Sequence, residues 1–526
     1  MKVRQFPFAL LVLVASAAAS QAQTVIRGAE ETPAVFSAHL PSLRGAMAQT
    51  EGVGAENRVR PIKQIPFSDG PGVASDPVVR KAGATPAISP GLGFDGIDAG
   101  AGGTTSRYAP PDTTGAVGAT QYVQWVNVSL AVYDKVSGNR IGTPVTGQSL
   151  FKNLGGACAS RNDGDPIVQY DKAAGRWVLS QFAVPGGTAG YWQCVAVSQT
   201  SDATGAYNLY AFSYPQFNDY PKMGVWPDAY YVTFNMFTGT FQGPRVCAYN
   251  RAAMIAGTAA TQQCFQLSSS FGSLLPADLD GATPPPAGAP NYILSRLSGT
   301  SLGMWKFHVD WNNPGNSTLT GPFTVGGVAT YNAACSGGAC VPQTGTNQKL
   351  DSLADRLMFR LAYRNINGVE RMVVNHSVQV NSTTKSGSGN AAVRWYEIRG
   401  MSGTPTVFQQ ASYSPDTDFR WMGSVAMDKQ GNMAVGYSKS SATTHPSLQF
   451  ATRSANDAAG SLGAESTIIT GGGSQTSNLS RWGDYTHMSI DPVDDCTFWY
   501  TGQYIPSNGT FNWKTRIASF RISACQ

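Results

Sequence analysis

Acidic residues recur in one local context along this chain. Asp112 follows Pro111 and precedes Thr113-Thr114-Gly115, and Asp163 and Asp165 flank Gly164 ahead of Pro166-Ile167-Val168. Asp219 precedes Tyr220-Pro221-Lys222, Asp278 and Asp280 flank Leu279, and Asp355 precedes Arg356-Leu357-Met358. Asp484 sits inside Arg481-Trp482-Gly483-Asp484-Tyr485-Thr486-His487. If a fold brings Asp112, Asp165, Asp219, Asp280, Asp355 and Asp484 to one mouth, the crowded carboxylates push one another's pKa values apart. They can then divide the work of proton donor and of base or nucleophile. Glycoside hydrolysis needs such a pair, and the candidates are two of Asp165, Asp219 and Asp484. Arg356 and Arg420 would hold the carboxylate of an acidic sugar by paired N–H bonds. Trp421, Trp482 and Tyr485, with Trp226, would offer flat apolar faces to a sugar ring. His487, Lys222 and Arg481 are expected nearby.

The recurrence also has a purely structural explanation. An Asp that opens a strand can accept backbone N–H bonds or cap a turn, and a role repeated in every unit is more readily structural than catalytic. Departures from the repeat then carry more information. Arg420 stands where other units have Asp, His487 joins Asp484, and the second unit doubles its acid with Asp163 and Asp165. Oxygen ligands gathered at one mouth would suit Ca²⁺, and no other cofactor is expected. Asp491, Asp494 and Asp495 form a further acidic cluster that reads equally as a solvated turn. The chain has no HExxH pair and no GxSxG, and Gly471-Gly472-Gly473 lacks the strand–helix context of a phosphate cradle.

The elements that must position these residues are strands. From about residue 108, short Val/Tyr/Trp/Phe runs alternate with Gly/Pro/Asn/Asp turns, as in Tyr122–Asn127, Arg176–Phe182 and Ala229–Phe234. Helical periodicity is nearly absent, with Ala252–Ala260 the one helix expected. Laid side by side, seven units share a polar opening, an inner strand, a turn and an aromatic or β-branched strand. The fourth opens at Asp278-Leu279-Asp280, the fifth at Asp355, the sixth at Arg420-Trp421-Met422 and the seventh at Trp482-Gly483-Asp484. The fold class expected is all-β: a single β-propeller of about seven four-stranded blades, in which radial stacking buries both faces of each small sheet. Six or eight blades stay open, and two β-sandwich domains are the alternative.

Three segments resemble the turn of an Asp box: Asp202-Ala203-Thr204-Gly205-Ala206-Tyr207, Asp457-Ala458-Ala459-Gly460 and, more weakly, Asp310–Gly315. With Gly164–Val168, Tyr220–Asp228 and Arg481–Tyr485, they make the stretch 108–526 similar to secreted bacterial β-propeller proteins of the sialidase-like, degenerate Asp-box type. The resemblance implies the fold. It does not carry over an active site, because the Arg triad and the Tyr/Glu pair of true sialidases find no matching set here.

The composition is consistent with this reading. Of 526 residues, 42% are hydrophobic and 13% charged, with 58 Gly and 31 Pro, which excludes coiled coils, helical repeats and charge-rich disorder. The net charge is +5 and there is no Lys/Arg run, so no nucleic-acid partner is expected. Residues 1–22 read as a signal peptide: Lys2 and Arg4, an apolar core, then Ser20-Gln21-Ala22. No later stretch is long and apolar enough to span a membrane. Export, to periplasm or medium, puts eight cysteines in an oxidising space. Their clustering favours the pairs Cys158–Cys194, Cys247–Cys264, Cys335–Cys340 and Cys496–Cys525. Residues 23–107 are Gly/Pro/Ala-rich and read as a poorly ordered linker or pro-segment, and 108–526 as the propeller. A monomer that acts on or binds extracellular glycan, or another polymer, is expected. The reaction would be that of a glycoside hydrolase or a polysaccharide lyase, and the alternative is a non-catalytic binding or interaction platform.

Overall fold

The structure, a computed structural model, describes residues 23–48, 56–67, 75–101, 106–299, 301–381 and 389–526. The expected signal peptide, 1–22, lies outside them. The chain folds as successive four-stranded antiparallel meanders. The first sheet comprises Thr114–Val117, Gln121–Val126, Ser129–Asp134 and Val145–Thr146. The innermost strands of the sheets that follow are Ile167–Asp171, Phe217–Val225, Leu275–Leu279, Met358–Ile366, Phe419–Met427 and His487–Ile490. These inner strands lie side by side in chain order, and Thr114–Val117 neighbours both Ile167–Asp171 and His487–Ile490. The architecture is all-β and propeller-like. In the fourth sheet, Leu275–Leu279 pairs antiparallel with Asn291–Ser298 and then parallel with Met358–Ile366 of the fifth.

The core runs in seams between consecutive sheets. One seam packs Val178, Val195 and Phe212 of the second sheet against Met223, Val232 and Cys247 of the third. Another packs Val373, Trp395 and Tyr413 of the fifth against Val425, Val435 and Tyr437 of the sixth. Full burial of each such side chain contributes about 1.5–3 kcal/mol, which is why the strands lining these seams are buried on both faces. Close backbone approach needs small residues: a Cβ on Gly224 would meet the Ala277 carbonyl oxygen at 2.3 Å. The four disulfides pair as clustering favoured, Cys158–Cys194, Cys247–Cys264, Cys335–Cys340 and Cys496–Cys525. No helix among the described residues is long and apolar enough to cross a membrane. Arg251–Ala256 is helical, capped by Asn250 and Gly257, but Gly147–Phe151 and Gly156–Ser160 are short helices too.

The N-terminal stretch departs from expectation. Instead of a strandless linker, Phe36–Leu40, Glu30–Pro33 and Thr24–Arg27 add outer strands to the second, third and fourth sheets in turn. Val79–Arg80 adds to the fifth, and Ile88–Asp98 is the outer strand of the seventh, paired with Lys514–Ile522. Edge strands bond through their backbones, so their side chains need no apolar alternation; most of those in Thr24–Pro33 face solvent. The three Asp-box-like turns all fall between the third and fourth strands of a sheet: Asp202 in the second, Asp310 in the fourth and Asp457 in the sixth. Asp202 Oδ1 accepts from Thr204 N at 2.9 Å and from Gln121 Nε2 at 2.9 Å.

Ile88–Asp98 covers the last free edge of the seventh sheet, and Ile97 is 1% exposed. A chain beginning at residue 100, which also loses the outer strands of the second to fifth sheets, should therefore unfold at a lower temperature than the full chain and aggregate through the bared edges, Lys514–Ile522 among them. An unchanged unfolding midpoint, measured calorimetrically, would contradict this role.

Candidate functional site

Each inner strand has a left-handed residue close to its start, just ahead of the strand in five sheets and at an irregularity within it at Tyr220 and Met422. Asp112 (φ 49°), Asp165 (46°), Tyr220 (54°), Ser273 (47°), Leu353 (46°), Met422 (53°) and Asp484 (61°) all have positive φ. Asp tolerates this conformation better than most residues, which accounts for part of the recurrence seen in the sequence. The turns also deliver side chains to one place. Asp165, Tyr220, Leu353 and Asp484 line a single cavity of about 140 Å³ together with Asp219, Arg356, Arg481, Phe182, Phe217 and the segment Arg60–Lys63.

The carboxylates at this mouth differ in their partners. Asp112 Oδ2 accepts from Asn127 Nδ2 at 2.7 Å, and Asp484 Oδ2 accepts from Arg481 Nη2. The second oxygen of each is buried without a partner. Asp165 and Asp219 accept no side-chain hydrogen bond from any described residue. Burial raises Asp219 to about 7, with the Asp165 charge adding to it and Arg356 opposing. Burial raises Asp165 to about 6, against the pull of Lys222 and with a push from Asp484. Asp112 is raised well above the usual carboxylate range by burial, then by Asp484 and Asp165. Beneath them lies Lys222, its ammonium 3.5 Å from the Tyr220 ring centre and 3.9 Å from that of Tyr485, donating to Pro221 O at 2.8 Å. Burial lowers Lys222 to about 7. Arg356 grips Asp355 through Nε and Nη2 at 2.7 and 2.9 Å, with its guanidinium 4.5 Å from the Tyr220 ring. Such a site can donate one proton, accept another and attract an anion.

Several expected site residues are elsewhere. Arg420 is fully buried and saturated by Asp416, Glu465 and the Asp418 carbonyl, which leaves no N–H for a substrate. Trp421 and Trp482 pack with ring centres 5.8 Å apart in the core, 0% and 1% exposed, so neither can meet a sugar. Tyr485 is under the cavity rather than on it, its hydroxyl donating to Pro166 O at 3.2 Å. His487 is buried against Thr114 and Gly115 with its ring edge-on to Phe359, and burial lowers its pKa well below the ordinary value. Asp278 and Asp280 fall toward the far end of their strand, where Arg360 donates to both. Asp355 is held by Arg356. Reasoning from sequence missed Arg60, Lys63, Phe182 and Phe217. Arg58-Val59-Arg60-Pro61-Ile62-Lys63 is the densest basic run in the region taken as linker, and that was the available signal.

A larger cavity, about 540 Å³, opens at the opposite ends of the inner strands. Two of its acids are already occupied, Asp171 by Arg251 and Asp495 by Arg364. Asp494 accepts from Cys496 N, Thr497 N and Thr497 Oγ1 as a turn cap. Among the described residues no group of three His, Cys, Asp or Glu side chains is disposed to hold a metal ion. The partnerless carboxylates make the smaller cavity the candidate site.

Comparison with known proteins gives no matching family model and no matching curated protein. Solved structures do align. A Trypanosoma rangeli sialidase matches over 68% of this chain and 54% of its own, at 11% identity and TM-score 0.34. The polysaccharide lyase Uly1 matches over 95% of this chain and 100% of its own, at 11% identity and TM-score 0.37. An ulvan lyase matches over 84% and 96%, at 12% identity and TM-score 0.35. The chain thus spans about half the length of the sialidase.

The raised carboxyl groups have a consequence for stability. A group whose folded pKa lies above its unfolded value stabilises below the unfolded pKa, and that stabilisation is lost as pH rises through the folded one. For Asp219, with a folded pKa of about 7, the loss falls between roughly pH 4 and pH 7. Asp219→Asn should therefore raise the unfolding midpoint at pH 8 and give no gain at pH 4. A gain at pH 4 that vanishes at pH 8 would contradict the assignment.

Proposed function

We propose that the protein is an exported, monomeric seven-bladed β-propeller of the sialidase-like, degenerate Asp-box type that binds extracellular glycan at the axial mouth and hydrolyses it. The observation that carries this reading is that Asp165 and Asp219 line one cavity, their carboxyl groups accept no side-chain hydrogen bond among the described residues, and burial raises them to about 6 and about 7. At neutral pH the carboxyl group nearer 7 keeps its proton for part of the population and serves as general acid. The other is ionised and serves as base or nucleophile. The two titrate as a coupled pair, so the division of roles belongs to the pair. Burial is the main cause of both raised values, and Asp484, anchored by Arg481, adds to them. Arg356, fixed by Asp355 and stacked on Tyr220, is the cation placed to meet an anionic sugar. The four disulfides and the absence of a membrane-crossing helix among the described residues fit export.

Binding without turnover is the second reading. It is favoured by the small cavity and by the structural duty of Asp112 and Asp484 as turn residues.

The test is a polysaccharide panel read by new reducing ends and, for a lyase, by the absorbance of an unsaturated product. Asp165→Asn and Asp219→Asn should each lower turnover by about two to four orders of magnitude, while leaving the thermal midpoint at pH 7 unchanged or higher. Undiminished turnover in both variants removes the pair from the mechanism. Binding of a panel glycan with no turnover in wild type selects the second reading.

A further inference from the structure

Between the fifth and sixth sheets, on the side of the far mouth, three arginines converge on a cavity of about 330 Å³. Arg371 comes from the strand Val369–Val380 and Arg399 from the end of Asn390–Arg399, both in the fifth sheet. Arg453 ends the strand Ser447–Arg453 of the sixth. The turn that brings Lys429 to the large far cavity presents Gln430 and Gly431 to this one.

The carboxylates here do not match the cations. Glu397 is 1% exposed and both its oxygens are taken: Oε1 accepts from Arg399 Nε at 2.7 Å, and Oε2 accepts from Gln409 Nε2 at 2.6 Å. Arg399 is fixed further by Phe408, whose ring centre lies 3.3 Å from the guanidinium carbon. Asp457 Oδ2 accepts from Ser454 N at 2.7 Å within its own turn, so Arg453 Nη2 donates to the Asp457 carbonyl instead, at 2.8 Å. Arg453 is 3% exposed, and its Nε is buried without an acceptor. The Arg371 side chain donates no hydrogen bond to any described residue: Nη1 stops 3.8 Å from the Glu397 oxygen that Arg399 holds, and Nε is buried without an acceptor. Three guanidinium groups and two carboxylates line the cavity, which leaves one positive charge in surplus. Burial lowers the pKa of Arg371 and of Arg453, and the Arg399 charge lowers Arg371 further. An arginine does not shed its proton, and a buried charge without a partner is costly. An anion entering the cavity would relieve that cost.

We propose that this cavity between the fifth and sixth sheets is an oxyanion site that takes a sulfate or phosphate group, held between Arg371 and Arg453. A carboxylate presents two oxygens in one plane and suits a single guanidinium fork. A tetrahedral group presents oxygens in several directions and can bridge forks that come from two sheets. Bound there, it ties the fifth sheet to the sixth. The site lies away from the axial cavity and stands whether or not that cavity turns over glycan. The recognising chemistry is the same for a free ion and for its monoester.

The experiment is titration calorimetry on the full chain at constant ionic strength, with inorganic sulfate, inorganic phosphate, glucose 6-phosphate and acetate as probes. Sulfate and phosphate should bind more tightly than acetate, and saturating phosphate should raise the unfolding midpoint. Tighter binding of glucose 6-phosphate than of phosphate identifies an ester as the occupant, and weaker or equal binding identifies the free ion. Arg371→Gln should weaken sulfate and phosphate by about tenfold or more, and Arg453→Gln should do the same. Arg453 is buried, so its variant can fail to fold. Arg371→Gln removes no side-chain hydrogen bond to a described residue and carries the test alone in that case. No binding of sulfate or phosphate, undiminished binding in Arg371→Gln, or acetate binding as tightly as sulfate would each overturn the proposal.

Discussion

The backbone at the start of the inner strands is the constraint on which the rest depends. Seven times a residue with positive φ turns the chain inward, and for a non-glycine residue each such turn costs about 1–2 kcal/mol. Asp112, Asp165 and Asp484 meet that cost with a side chain suited to the left-handed region. Tyr220, Ser273, Leu353 and Met422 meet it through packing or a local hydrogen bond: Asn235 Oδ1 accepts from Ser273 N at 2.9 Å, and Met422 is fully buried. Four of the seven side chains line one small cavity. The same geometry that shapes the strands therefore crowds carboxyl groups at one mouth.

The two mouths treat charge in opposite ways. At the far one, Asp171, Asp280 and Asp495 each face a dedicated Arg or Lys, and Arg360 stands between Asp278 and Asp280. Those pairs are complete, and the charges there serve the fold. At the near one, Lys222 lies between two tyrosine rings and Arg356 gives Nε and Nη2 to Asp355, so Asp165 and Asp219 are left to hold protons instead of partners. Carboxyl groups left without side-chain partners lower stability, and their place beside the small cavity is what singles it out as the candidate site.

Much of this was legible in the residues. Val/Tyr/Trp/Phe runs between turn residues marked the strands, since both faces of each are buried, and the clustered cysteines paired with near neighbours. Asp165, Asp219, Asp484 and Arg356 were grouped by their shared context, and the structure sets them around one cavity. What failed did so for physical reasons. Residue type does not say which way an inner strand turns its side chains, so Trp421, Trp482 and Arg420 were assigned to the mouth when they fill the core between sheets. The fourth unit was aligned on Asp278 and Asp280, whereas its left-handed residue is Ser273, five and seven positions earlier. The N-terminal strands were invisible because edge strands bond through the backbone, which leaves little pattern in the side chains, and the segment Arg60–Lys63 was signalled by its basic residues alone.

The central claim is that two carboxyl groups at this mouth hold their protons far above the ordinary aspartate range. It is tested most directly by following carboxyl-carbon NMR shifts of aspartate-labelled protein through a pH titration, with Asp165→Asn and Asp219→Asn as assignments. The account predicts two resonances titrating near pH 6 and pH 7, each displaced when the other residue is replaced. Titration of both groups near the unperturbed value of about 3.9 would contradict it.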